Sequence, residues 1–435
     1  MSTDFSQLNN APRLLMEAEL TPVQGDRFQP TGFADLGPAR YQLAGGTEML
    51  LIESAQSVAN RLEAVCWEEA KGDLVGSLAG LPYVKINLGE LGTTTTIQEF
   101  HRLNSPYIWV GETDDRGKKF RQDLMGQIGL KTKAEKKAKK GGEDDSEEGA
   151  DVPGVLDLRK LAKAVFWCDP NSIIHGVFLE KLAGRLRLTR ALSGFIEARD
   201  VRAVESGGVK FDHVLPKPKD LGLNANEGFG NVPFHRTEFT AGKITAYFNL
   251  DLALLRGYGF KEEATDLLIA LALFKVRRFV TLGLRLRTAC DLRCKNDLTV
   301  TCPSGFAVPE EQALLTTLQT KIKACQDAEL FANPPMTEIQ WQRSKGDKVE
   351  VELPIGALEP NIPDVLKQKI EYKKGGKKKG SKLIFKAGLD AELVDSVKAL
   401  FSNLPEIVNA LDKKLQQVSN SQDADESEKQ EDEEN

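Results

Sequence analysis

Lys243–Leu255 reads KITAYFNLDLALL, and its alternation decides the fold. Ile244, Ala246, Phe248, Leu250 and Leu252 fall on one side of an extended chain, the period-two pattern of a strand with one buried face. Downstream, Glu262–Leu282 is apolar at helical spacing, and Gly283–Leu292 (GLRLRTACDL) returns to a strand. Upstream the same order recurs. Arg13–Val23 (RLLMEAELTPV) sets Leu14, Met16, Ala18 and Leu20 on one face, and a turn-rich loop, GDRFQPTGF, follows. Thr47–Glu69 reads as an amphipathic helix, with Ile52, Ala55, Ala59, Leu62 and Cys66 at helical spacing and Thr47 as N-cap. Tyr83–Leu88 reads as a short strand. The order is β-α-β, an interruption over Gly89–Gly242, then β-α-β, which predicts an α+β fold of ferredoxin-like type. Its sheet has one face covered by two helices and one face free, and RNA-recognition modules use that free face.

The chain has 435 residues, room for two or three domains or for one domain with large insertions. With 41% hydrophobic and 28% charged residues it has the composition of a globular protein. No apolar run approaches the ~18 residues that span a bilayer. Met1–Asn10 is polar and lacks the layout of a signal peptide, so a cytoplasmic protein with no membrane partner is expected. Cys66, Cys168, Cys290, Cys294, Cys302 and Cys325 are scattered, as reduced core thiols would be.

The formal net charge of −6 speaks against a nucleic-acid partner only on average. From Asp423 to Asn435 eight acids stand against Lys429, so this tail carries −7 and the body +1. A near-neutral body can still hold one basic face, because charge acts locally, within a Debye length of about 10 Å. Three stretches read as unstructured: Lys131–Asp151, the basic Gly/Lys loop Lys373–Lys382, and the acidic tail.

Arginines set within strand-like alternation are the main candidate contacts. Gly184–Thr189 (GRLRLT) puts Arg185 and Arg187 on one face, with Arg190 next to them, and Gly283–Thr288 repeats the device with Arg285 and Arg287. Alternate positions of a strand lie about 7 Å apart, close to the phosphate spacing of an extended single strand. Arginine also pairs with phosphate bidentately and stacks on bases. The loop Gln24–Phe33 offers Gln24, Arg27 and Gln29, as phosphate and base contacts or as parts of a structural turn. The helix after it carries Ser54, Gln56, Asn60 and Arg61, which touch a backbone or face solvent. Ser206–Phe239 is rich in Gly, Pro and Asn. It reads as a hairpin-like insertion with Lys210, His213, His235 and Arg236 as contacts.

Catalytic signatures are missing from the sequence. None of the four histidines sits in HExxH, and there is no GxSxG elbow. The spacing of Cys290, Cys294 and Cys302 is looser than that of structural zinc sites. No catalytic residue, metal or cofactor is therefore expected. The alternative is an endoribonuclease working through two histidines as general acid and base.

Longer strings carry a resemblance. RLLMEAELTPVQGDRFQPTGFADLG, MLLIESAQSVANRLE, HRLNSPYI, SIIHGVFLEKLAGRLRLTRALSGFIEARDV, SGGVKFDHV, NVPFHRTEFTAGKITAYFNLDLALLRGYG and GLRLRTACDL resemble one family. It is the RAMP-superfamily backbone subunit that binds CRISPR RNA in type I-G (formerly I-U) Cascade effector complexes, and the likeness runs from about Arg13 to Cys302. The resemblance implies a modified ferredoxin-like, RRM-like palm at 13–92 and 243–300. It further implies a helical insertion at 93–205 and a hairpin thumb at 206–240. An α+β extension at 301–418 and a disordered acidic tail at 419–435 would follow. It implies copies stacked on one crRNA, the guide presented to a target DNA strand in antiviral defence, and no nuclease activity in this subunit. The implied partners are neighbouring copies, the large subunit, the guide-end-capping or processing subunit and, transiently, the helicase-nuclease. Within the same superfamily, the alternative is an endoribonuclease that processes crRNA.

Overall fold

The computed structural model describes residues 3–33, 37–130, 157–180, 182, 186–224, 227–342, 349–353, 362, 370–374, 381–385, 391–401, 404–405 and 407–414. The Lys131–Asp151 stretch, most of the Lys373–Lys382 loop and the acidic tail lie outside these residues. The chain divides into two units. The first comprises residues 1–87, 91–109 and 115–339, and the second residues 88–90, 110–114 and 340–435.

The first unit is built on an antiparallel sheet. Its main elements are β1 (Arg13–Pro22), β2 (Glu48–Glu53), α1 (Ala55–Ala64), β3 (Leu192–Arg199), β4 (Lys243–Asp251), α2 (Glu262–Leu282) and β5 (Cys290–Cys294). Across the sheet the order is Arg285–Arg287, β5, β1, β4, β3, β2 and Arg40–Gln42, and Thr299–Cys302 also pairs with β1. The four central strands, β5-β1-β4-β3, reproduce the 4-1-3-2 order of a ferredoxin-like unit, so the fold is α+β as expected. Alternation explains the strands: Leu14, Met16, Ala18 and Leu20 of β1 are buried, as are Ile244, Ala246, Phe248 and Leu250 of β4. The register runs from Arg13↔Asp251 to Leu20↔Ile244. Helix α2 spans the expected residues, and its continuous buried run Leu267–Phe274 follows from contact on two sides. It lies under the sheet, where Phe279 meets Phe248 edge-on at 6.1 Å, and beside the helix Glu311–Asp327.

Two expectations need correction. The second ferredoxin strand is β3, not Tyr83–Leu88. LSGFIEAR alternates as cleanly, with Leu192, Ile196 and Ala198 buried, whereas Tyr83–Asn87 pairs with Thr93–Thr95 in another sheet. Gly194 lets β3 approach β4, because a Cβ there would stand 2.7 Å from the Phe248 ring and 2.9 Å from the Tyr247 carbonyl oxygen. The expected helix Thr47–Glu69 is a strand followed by a shorter helix. Met49, Leu50 and Ile52 form an apolar run that the sheet buries, and β2 pairs with β3 across a bulge. Ser54, not Thr47, caps α1 by accepting the Ser57 N–H at 3.3 Å.

Between β3 and β4 the chain leaves the sheet as a long hairpin, Arg202–Lys210 against Val232–Thr240, in register from Arg202↔Thr240 to Lys210↔Val232. Between α1 and β3 lie helices including Asp115–Ile128, Leu158–Cys168 and Pro170–His175. The last of these carries a buried polar network. Lys275 Nζ meets Asn171 and lies 2.9 Å from His175 Nε2, and Asn171 donates to Glu63 at 2.7 Å. Arg102 grips the same carboxylate at 2.6 and 2.7 Å.

The second unit holds an antiparallel sheet with Lys382–Phe385 between Val349–Glu352 and Ile370–Lys373. Its core gathers Val351, Leu383 and Phe385 with Val397, Ile407 and Leu411. Among the described residues no helix is long and apolar enough to cross a membrane. None of their His, Cys, Asp and Glu side chains form a group of three or more that could hold a metal ion.

Candidate nucleic-acid interface

The loop after β1 is stapled to the root of the hairpin. Phe28 and Phe239 exchange both backbone hydrogen bonds at 2.9 Å, and both rings are buried. The next residue, Gln29, donates its N–H to the Ala289 carbonyl at 2.8 Å and accepts from Arg287 at 3.0 Å. Loop, hairpin root and the turn before β5 thus meet at one place.

Two buried carboxylates organise arginines there. Glu238, 4% exposed, pairs with Arg236 at 2.6 Å and Arg27 at 3.3 Å. Glu53, 1% exposed, pairs with Arg61 at 3.1 Å and with Arg287, and it accepts from the Ser57 hydroxyl. Arg61 also reaches the Leu286 carbonyl at 2.7 Å. Each carboxylate is shared by two guanidinia, so each cluster keeps an excess positive charge. The clusters meet at a cavity of about 310 Å3 lined by Arg236, Arg287, Gln29, Thr31 and Thr288. Among the described residues no carboxylate lines it. An adjoining cavity of about 290 Å3 holds Gln24 and Arg27, with Asp26, Glu238 and Asp291 as acids.

Gln24, Arg27, Gln29, Arg61, Arg236 and Arg287 are therefore brought together. The other candidates lie elsewhere or are occupied. Ser54 spends its oxygen on the cap, Gln56 is exposed, and Asn60 lines a separate pocket with Arg61. Arg185 falls outside the described residues. Arg187 belongs to a two-stranded sheet apart from the palm and lies over the Phe178 ring at 4.5 Å. Arg190 is half-buried, donating to the Ala55 carbonyl at 2.7 Å and the His175 carbonyl at 3.3 Å. Its burial, with Arg102 nearby, lowers its pKa. On the hairpin, Lys210 donates to the Gly228 carbonyl at 3.1 Å, and His213 is exposed.

Arg285 and Arg287 do not form the expected outward pair. The register shifts between them, leaving Arg285 exposed and turning Arg287 toward Glu53. The physical reason is that a buried carboxylate must be paired.

The free face of the sheet is mixed in character. It carries the stacked rings of Phe195 and Tyr247 at 5.1 Å, but Glu17, Glu19 and Glu197 surround them. Tyr41 donates its hydroxyl to Glu197 at 2.8 Å, and burial with that bond pushes the phenol up to about 12. Arg199 and Lys243 stand on the same side and Lys295 pairs with Glu19 at 2.7 Å, so the charge of this face is mixed. Sequence reasoning missed Glu53 and Glu238. The second had a signal, because Arg236 and Glu238 stand two apart on one strand and so share a face.

Among solved structures, one titled "CRISPR RNA-guided surveillance complex, pre-nicking" is similar at 17% identity and a TM-score of 0.35, covering 73% of this chain and 86% of that one. Csc2 from Thermofilum pendens is similar at 9% identity and a TM-score of 0.25, covering 76% and 83%. Another, titled "CRISPR RNA-guided surveillance complex", stands at 12% and 0.24, covering 73% and 85%. No curated protein sequence matches the chain. The family described as CRISPR-associated protein GSU0053 matches at residues 14–203, and over that stretch, a little under half its length, the chain is similar to that family.

Proposed function

We propose that this protein is a structural, RNA-gripping subunit of a type I-G CRISPR surveillance complex. Copies of it stack along one crRNA and present the guide to target DNA. The observation that carries this reading is the cavity at the hairpin root, where Arg236 and Arg287 stand among Gln29, Thr31 and Thr288 with no lining carboxylate among the described residues. A phosphodiester suits that chemistry: guanidinia offer paired N–H donors to its oxygens, and hydroxyl and amide groups add neutral ones. Glu53 and Glu238 hold the arginines in place beforehand, so less side-chain freedom is lost on binding. In this reading the protein grips the backbone and base pairing reads the sequence.

The likeness of residues 14–203 to a CRISPR-associated family supports crRNA as the RNA. The hairpin, with exposed Val209, Phe211 and Phe234 beside Lys210, separates bases and touches the neighbouring copy. The large subunit and the guide-end-capping subunit complete the assembly, the helicase-nuclease cuts DNA, and this chain is non-catalytic and needs no cofactor. The full chain co-expressed with a repeat–spacer RNA tests the proposal. Purified protein is expected to retain RNA of uniform length that resists nuclease. Protein emerging free of RNA would refute it, and discrete cleavage of the repeat would favour the endoribonuclease alternative.

A further inference from the structure

A second concave site lies on the other side of Arg61. It is a cavity of about 400 Å3, within the range of sites that take a discrete chemical group. Its lining includes Asn60, Arg61, Trp67, Glu69, Gln98 and Phe100. We propose that this pocket receives an arginine side chain of a protein partner. The inference stands apart from the RNA reading.

Charge excludes a phosphate backbone here. Among the described residues Arg61 is the only cation in the lining, whereas the hairpin-root cavity holds two. Two carboxylates line the same cavity. Glu63 is saturated by Arg102 and Asn171. Glu69 is exposed, and among the described residues its side chain has no partner. One negative charge is thus open to an incoming cation.

The rings select which cation. Trp67 is held edge-on by Tyr83, with ring centroids 6.1 Å apart, so its position is fixed before anything binds. Phe100 is 71% exposed. A single exposed apolar side chain is ordinary on a protein surface. Phe100 differs because it forms the lip of a pocket that already contains a second ring. Rings beside a carboxylate suit a guanidinium, which is planar, stacks on an aromatic face and presents a fork of donors. The Asn60 amide, without a hydrogen-bond partner among the described residues, supplies an acceptor for a further N–H. Gln98 is partly used, since its Oε1 accepts from Thr95 at 3.2 Å.

The test uses the full chain labelled with 5-fluorotryptophan, its Trp67 resonance identified by Trp67→Phe. The probes are acetyl-Gly-Arg-Gly-amide, the same peptide with neutral citrulline for arginine, and uridine and adenosine monophosphates. The arginine peptide is expected to shift the Trp67 resonance saturably, with the citrulline peptide about tenfold weaker. Phe100→Ala and Glu69→Gln are each expected to weaken the arginine peptide by at least about fivefold at an unchanged melting temperature. An unmoved Trp67 resonance, equal binding of the citrulline peptide, or variants that bind like the parent chain would overturn the proposal. A shift by the nucleotides alone would also overturn it, making the pocket a nucleobase seat.

Discussion

Replacing Arg236 by Gln takes one guanidinium from the hairpin-root cavity while leaving Glu238 paired with Arg27 at 3.3 Å. That second partner matters, because Glu238 is buried and a lone charge there would threaten the fold. A hydrogen bond to a charged group contributes about 1.5–3 kcal/mol, which corresponds to roughly a ten- to hundredfold loss of affinity. Salt dependence gives the sharper readout. Losing one neutralised phosphate on a single strand flattens the slope of log K against log salt by about 0.7. Fluorescence anisotropy of the full chain with a labelled repeat–spacer RNA, between about 50 and 200 mM salt, measures both quantities. Arg236→Lys keeps the charge without the fork, so it restores the slope but only part of the affinity. An Arg236→Gln protein with the parental slope would refute the phosphate assignment, even if its affinity had fallen.

Glu53→Gln leaves two guanidinia without their shared carboxylate and is expected to cost about 3–5 kcal/mol in urea denaturation. A loss below about 1 kcal/mol would show that the ion pairs are not structural. Gly194→Ala forces a methyl group against Phe248 and the Tyr247 carbonyl and should cost about 1–3 kcal/mol. An unchanged melting temperature contradicts that reading. Stability should also depend on pH through two opposed groups. Burial, with Lys275 beside it, pushes the His175 pKa well down, so only the unfolded chain takes up this proton as pH falls below about 6.5, and stability drops. Burial pushes the Asp169 carboxyl up to about 6, so from there down to 3.8 the folded state holds the extra proton and stability rises. The two effects offset each other between those values. Asp169→Asn removes the second and should make acid destabilisation steeper, by up to about 1.4 kcal/mol per pH unit. Identical pH profiles for variant and parent would exclude this balance.

Much of the fold was legible because β1, β4 and α2 each have a single burial pattern that the residue period records. Two segments misled the reading for a shared reason. Glu48–Glu53 places four apolar residues in a row before a helix, and no local signal separates a buried strand of the sheet from the first turn of that helix. Tyr83–Asn87 and Leu192–Arg199 are both good strands, and only tertiary pairing decides which joins the palm. At the site, the arginines of the loop and hairpin could be picked out by type. Which of them face a shared cavity depends on Glu53 and Glu238, whose partners come from separate parts of the chain. Arg287 shows the limit: its alternation with Arg285 suggested an outward pair, and one register shift turned it inward.

The placement of β1 has a kinetic consequence. This strand sits in the middle of the sheet, yet its neighbours β4, β5 and Thr299–Cys302 all lie in the later part of the chain. Its first residue bonds to a partner 238 positions away. At about 5–20 residues per second, a ribosome needs roughly ten to fifty seconds to deliver that partner. Throughout that interval the nascent amino-terminal strand presents both unpaired edges and the apolar row Leu14, Met16, Ala18 and Leu20. Ordering of the sheet waits for synthesis of its distant strands, so truncated chains that stop before β4 should be the aggregating species in cells.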